Sequence, residues 1–233
     1  MTSDWTRRDL LGAAGAAVLA GAATGSDTAL AQGGDDASRA KGIKIIGVCC
    51  SPRKGKTTAA ALQTCLDAAK AAVPGIETEL IELAGMDIPV FDPTQGAKGD
   101  FEKLVPKLSD PKVGGIIVGT PVYFSNMSSL CKAFLDHCMA FRKTFALSGK
   151  VGGALAVGGV RSGGQELTVQ SVLAALMSQE MVIVGDGKPT AHQGATLWNT
   201  KDDISGDEFG LGTARNLGAR VAQVALRLAG LAK

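Results

Sequence analysis

Three stretches of this chain combine residue types that could hold a ligand. The first, Ser51-Pro52-Arg53-Lys54-Gly55-Lys56-Thr57-Thr58, places hydroxyls and cations around a glycine turn, just before an alanine-rich segment. Backbone N–H groups at a helix N-terminus, hydroxyl donors and an arginine fork together make a cradle for a phosphate. The second, Gly119-Thr120-Pro121-Val122-Tyr123-Phe124-Ser125-Asn126-Met127, puts two rings beside a proline in a chain with only 4% aromatic residues. Apolar surface with backbone donors suits a planar heteroaromatic ring. The third, Gly158-Gly159-Val160-Arg161-Ser162-Gly163-Gly164-Gln165-Glu166, has four glycines, which let a backbone approach a ligand closely, and Arg161, which could balance negative charge on it.

Gly55-Lys56-Thr57 invites comparison with a nucleotide-triphosphate loop. That motif requires a glycine five positions before Gly55, where Cys50 stands, so the comparison fails.

The elements around these stretches alternate. Ile43–Val48 is a β-branched run too short for a helix and bounded by Gly42 and Ser51-Pro52, so it reads as a buried strand. Thr57–Val73 reads as a helix closed by Pro74-Gly75, and Ile76–Leu83 as a strand nearer the edge. Val113–Val118, Val151–Val157 and Met181–Val184 read as further strands. Ser128–Arg142, Glu166–Gln179 and Asp207–Leu231 read as helices. Strands separated by helices predict an α/β, flavodoxin-like three-layer sandwich with a five-stranded parallel sheet in the order 2-1-3-4-5. Ligands in such sheets bind beyond the carboxyl ends of the strands, where all three stretches fall.

With 233 residues and a net charge of +2, the chain can build one sizeable domain, and nothing in its charge favours nucleic acid. The five cysteines show no C-x-x-C spacing that would suggest a metal site. Cys131 and Cys138 are seven apart on one helix, about 10 Å along its axis and too far for a disulfide. All five read as reduced, structural thiols. His137 has Cys138 and Asp136 as neighbours, but adjacent helical positions do not face each other, so it reads as a surface or interface residue. His192 reads as a turn residue, and Trp198 either shields the site or packs at a subunit contact.

Residues 1–31 read as an export signal. Arg7-Arg8 precedes a mild Ala/Gly/Leu stretch and an Ala29-Leu30-Ala31 cleavage pattern, matching the twin-arginine type. Residues 32–42 read as a linker and 43–233 as the ligand-binding domain. The expected location is the periplasm or another exported compartment, with no stable membrane span after cleavage.

Ser51-Pro52-Arg53-Lys54 with Thr57-Thr58, then Gly119-Thr120-Pro121-Val122-Tyr123-Phe124, then Lys132-Ala133-Phe134-Leu135-Asp136, resemble the NADPH-dependent FMN reductase family across residues 43–229. The branch containing iron–sulfur flavoproteins is the closer match. The resemblance implies FMN as cofactor and NAD(P)H as co-substrate. Hydride would pass from NAD(P)H to the flavin, and electrons onward to a quinone, flavin or other acceptor. It places Ser51, Arg53, Lys54, Thr57 and Thr58 at the FMN phosphate, with Thr57 where the family usually has asparagine. Thr120, Pro121, Val122, Tyr123, Phe124 and Ser125 fall on one side of the ring, and Gly158, Gly159, Arg161 and Gly164 on the other. No side-chain acid or base is required, because the flavin performs the chemistry. The resemblance also implies a homodimer or homotetramer. One departure is plain: the iron–sulfur branch carries a compact cysteine cluster where this chain has Met86–Thr94 without cysteine. Two alternatives stay open at this point: an exported FMN electron carrier without its own nicotinamide site, and a phosphate- or nucleotide-binding domain without flavin.

Overall fold

The computed structural model describes residues 40–231, so the expected leader and most of the linker lie outside the described residues. β1 (Lys44–Cys49) leads through the phosphate-cradle stretch into α1 (Thr57–Ala72), and β2 (Glu77–Glu82) follows. Next come α2 (Phe101–Leu108), β3 (Val113–Tyr123), β4 (Asn126–Met127) and α3 (Ser129–His137), which tightens into a 3-10 turn over Cys138–Phe141. β5 (Val151–Gly158), α4 (Gln165–Met177), β6 (Val182–Ile183), β7 (Ala195–Trp198) and α5 (Glu208–Ala229) complete the order.

The sheet runs β2-β1-β3-β5-β6, with every pairing on that path parallel. The flavodoxin-like sandwich is therefore as expected, while the strand count is seven rather than five. The last position is shared by two short strands: β6 pairs with Val151 and Gly152 at the start of β5, and β7 with Leu155–Gly158 at its end. One expected strand, Met181–Val184, is thus only the first half of the edge. Trp198 closes β7. β4 adds a short antiparallel pair to the end of β3.

Side chains alternate across the sheet, and the core has two halves. Ile45 and Cys49 face Leu62, Cys65 and Leu66 of α1 and Leu217, Val221 and Ala225 of α5. Ile46, Val48 and Cys50 face Phe101 and Leu104 of α2, Phe134 of α3 and Val172 of α4. These residues are apolar on both faces because helices cover both. α1 and α5 pack closely at Gly218, where a Cβ would overlap the carbonyl of Cys65.

One element is added to those expected, and one reading changes. α2 is a helix of eight residues with Pro106 inside it; its buried Phe101, Leu104 and Leu108 show the spacing of one helical face, in a segment short enough for the proline to mask it. His137 is buried, not at the surface. Its Nε2 donates to the carbonyl of Pro89 at 2.9 Å, its ring stacks on Phe101 at 5.1 Å, and Phe91 meets it edge-on. Its Nδ1 has no hydrogen-bond partner among the described residues. His137 thereby anchors the segment between β2 and α2, which is also closed by Asp87 and Asp100 exchanging backbone and side-chain hydrogen bonds at 2.8 Å.

Candidate functional site

The carboxyl ends of β1, β3, β5 and β7 lie along one edge, and the three candidate stretches meet there. At the first, Ser51 is buried and its Oγ accepts the N–H of Arg53 at 3.1 Å, curling the chain out of β1. α1 then begins without a side-chain cap at Lys56 and without an acidic residue in its first turn. The first N–H groups of a helix need an acceptor from outside it, and the dipole favours an anion there. Thr57 and Thr58 are 5% and 2% exposed, yet neither hydroxyl has a hydrogen-bond partner among the described residues. Donors left open at an uncapped helix start fit a phosphate group. Arg53, Lys54 and Lys56 are exposed around this cradle. Arg53 Nη1 donates to Asp202 Oδ1 at 2.6 Å, and Lys56 stands 3.6 Å from Asp202 Oδ2. The N–H of Gly55 is taken by Glu82 Oε2 at 2.7 Å.

The second stretch differs in form from the expected turn. Gly119 to Tyr123 continue β3, and the reversal comes at Phe124 and Ser125 (φ 51° and 58°), the tip of a two-residue hairpin into β4. Two successive positive φ values match the twist of a tight hairpin but are usually supplied by Asn and Gly. Tyr123 is 44% exposed and Phe124 fully exposed, so both present apolar surface beyond the sheet. The hydroxyl of Thr120 is turned inward: it accepts the N–H of Ser128 at 3.0 Å and lies 3.0 Å from the carbonyl of Pro121. Any contact from Thr120 to a ligand must come from its backbone.

Ser128 is the residue that joins the first two stretches. Its Oγ donates to the carbonyl of Cys50 at 2.7 Å and accepts the N–H of Cys131 at 3.1 Å, capping α3. The phosphate cradle therefore keeps register with the β3–β4 hairpin.

The third stretch is held from below by Gln165, which is 3% exposed. Its amide donates to the carbonyls of Val160 (2.7 Å) and Leu197 (3.2 Å) and accepts the N–H of Gly163 (2.7 Å). Gly164 (φ 98°) begins α4 directly against Ser125 of the hairpin. Gly158 ends β5 with its carbonyl accepting both the backbone and side-chain N–H of Asn199. Gly159 is open to solvent. Arg161 donates to the buried Asp207 at 3.2 Å and lies over the Trp198 ring at 5.7 Å. Asp207 also accepts the N–H groups of Trp198 and Gly210, so one carboxylate fixes Arg161, the end of β7 and the start of α5. A cleft of about 470 Å³ lies between Gly159–Arg161 and Trp198–Lys201.

The structure thus brings all the expected site residues to one edge. Ser128, Gln165, Asp202 and Asp207 were not singled out from the sequence. Ser128 had a legible signal, as a serine opening a helix; Asp202 and Asp207 act across loops distant in sequence, and Gln165 ties its own loop to the end of β7. His192 lies between β6 and β7, where its N–H is bound by the buried carboxylate of Asp186 at 2.5 Å.

Comparison with known proteins gives the family and the fold. The family model for NADPH-dependent FMN reductase matches residues 43–196. An iron–sulfur flavoprotein of Methanocaldococcus jannaschii is 38% identical over 198 residues, covering 78% of this chain and 97% of the relative. An NAD(P)H dehydrogenase (quinone) of Cupriavidus metallidurans is 43% identical over 91 residues, covering 39% of this chain and 43% of that protein. Among solved structures, a WrbA-like flavodoxin of Agrobacterium tumefaciens has the same fold (TM-score 0.58, 20% identity, 79% of this chain and 98% of that one). The iron–sulfur relatives raise the question of a cluster. The five cysteines here are buried in the core, and among the described residues no group of three or more Cys, His, Asp or Glu side chains could hold a metal ion, so the residues do not fit one. The chain belongs to the NADPH-dependent FMN reductase family and is a flavin-dependent oxidoreductase that uses FMN.

Proposed function

We propose that the chain draws electrons from NAD(P)H and delivers them to a small oxidised acceptor of the quinone or flavin class, through FMN seated at the carboxyl edge of its sheet. The observation that carries this reading is the uncapped start of α1, with two buried threonines whose hydroxyls are open, beside exposed aromatic surface at Tyr123 and Phe124. Relatives named NAD(P)H dehydrogenase (quinone) in two organisms favour the acceptor class.

When bound, FMN supplies the acceptance and release of hydride equivalents. The protein's own residues bind and orient. The α1 N–H groups with Ser51, Thr57 and Thr58 would hold the phosphate, aided by Arg53 and Lys54. Pro121, Val122, Tyr123, Phe124 and Ser125 would flank one side of the ring, with Gly158, Gly159 and Gly164 on the other. Arg161, held by Asp207, keeps a positive charge at the rim of the cleft. On this reading the first thirty-one residues route the folded, loaded protein through the twin-arginine pathway to the periplasm, and the domain works as a homodimer or homotetramer. Among the described residues no helix is long and apolar enough to cross a membrane.

The test is the visible spectrum of the full chain after incubation with FMN and desalting, followed by NADH and NADPH oxidation with a quinone present. Retained flavin that is lost in Arg53→Ala/Thr58→Ala, together with turnover, is the expected result. Retained flavin without nicotinamide oxidation would replace this reading with that of an electron carrier fed by a partner.

A further inference from the structure

We propose that Asp202 is an internal competitor for the FMN phosphate: its carboxylate occupies Arg53 and Lys56 until a phosphate-bearing flavin displaces it. The inference rests on the FMN reading above and adds a residue that sets affinity at the same site.

Asp202 reaches the cradle from the turn after β7, 149 residues from Arg53. Both its oxygens are committed, Oδ1 to Arg53 at 2.6 Å and Oδ2 to Lys56 at 3.6 Å. It thus presents to the cradle what a phosphate would present: paired anionic oxygens facing a guanidinium and an ammonium. The turn is shaped to do this. Thr200 and Asp203 exchange backbone hydrogen bonds at 2.8 and 3.0 Å, and Lys201 and Asp202 between them have φ of 53° and 64°. Left-handed conformations are unfavourable for residues other than glycine, and Asn is the usual substitute. A carboxylate is kept at the tip nonetheless.

The contact is built to be exchanged. Arg53 and Asp202 are about half exposed, and a pair screened by water is worth little. A phosphate carries more charge and also meets the open donors of α1, Thr57 and Thr58, which Asp202 does not touch. Arg53 holds the Asp202 carboxyl below the usual carboxylate range, so the competitor stays ionised across the neutral range. FMN entry therefore requires the 199–203 turn to release Arg53. Riboflavin, which lacks the phosphate, has no means of displacing the carboxylate and gains nothing from its removal.

The experiment compares full-length wild type with Asp202→Asn and Asp202→Gly, titrated with FMN and with riboflavin by flavin fluorescence. Both replacements remove the carboxylate and suit the positive φ, Asn keeping the side-chain shape and Gly deleting it, so an effect common to the two reports the charge. The expected result is FMN binding tightened about 2–5-fold in both variants, the range of a half-exposed ion pair, with riboflavin binding unchanged. FMN affinity that is unchanged or weaker in both variants would overturn the role assigned to Asp202, the weaker case marking it as a clasp over bound flavin. Wild type that binds no FMN at all would overturn the FMN reading and this proposal together.

Discussion

A Cβ on Gly164 would lie 2.6 Å from Ser125 Oγ and 2.7 Å from Ser125 Cα, so the loop after β5 and the β3–β4 hairpin touch only because residue 164 has no side chain. Gly164 also has φ 98°, which an L-residue adopts at a cost. Both walls of the proposed ring site meet at this point. Gly164→Ala should separate them, weakening FMN binding by roughly tenfold and stability by about 1–2 kcal/mol. Flavin titration and a thermal melt would read the two effects, and unaltered FMN affinity would show that the contact does not shape the site.

Thr58→Val removes a hydroxyl while nearly conserving volume. Since that hydroxyl has no partner among the described residues, folding stability should change by less than about 1 kcal/mol, while FMN affinity falls by about 10–100-fold, the value of one good hydrogen bond to a charged group. Riboflavin affinity should not move. An equal loss for both flavins would place Thr58 away from the phosphate.

The α1–α5 contact should be intolerant of added volume. Gly218→Ala drives a methyl into the backbone of Cys65, and backbone cannot yield as a flexible side chain can. A loss of about 2–3 kcal/mol is expected in denaturant unfolding. A shift under about 0.5 kcal/mol would mean that the two helices can part without penalty.

Burial pushes the Cys49 thiol up to about 11, and it raises Cys50, Cys65 and Cys138 as well. Raised folded-state values favour the protonated thiols. Their contribution to stability is therefore full below the unfolded thiol value of about 8.5 and declines as pH rises through the folded values. Unfolding midpoints should drop between roughly pH 8.5 and 11. At neutral pH, alkylating reagents should modify none of the five cysteines until the protein unfolds, and then all five. Modification of the native protein by mass spectrometry would contradict the burial.

Strand identity and order were legible because β1, β3 and β5 are apolar runs covered on both faces, and their flanking glycines and prolines mark the ends. The candidate site was legible for a related reason: parallel strands deliver their loops to one edge, so locating three strand ends locates the site. What escaped depends on partners distant in sequence. His137 looked polar enough for the surface, and only the Pro89 carbonyl and the Phe91 and Phe101 rings make burial acceptable. α2 was hidden by Pro106. Asp202 sits in a polar turn that resembles any other, and its meaning comes from Arg53 on a different loop. β3 was read too short because Pro121 suggests a turn, whereas this strand end continues past its neighbours and carries its hairpin into solvent.

The divided edge strand insulates one half of the molecule from changes in the other. β6 and β7 each take their register from β5 independently, and the chain between them leaves the ladder after the Val184 N–H has bonded the Gly152 carbonyl. A strand of unbroken pairing would transmit any gained or lost residue straight to Trp198, inverting which face its side chain occupies. Here a length difference can fall at the exposed Lys188–Pro189 tip of the connection, whose base is fixed by the buried Asp186 and by Gly194 against the Ala154 carbonyl, while Ala195–Trp198 stay clamped to Leu155–Gly158. That tip is accordingly where foreign sequence could be spliced in, for a tag or a new recognition element, without disturbing the flavin edge.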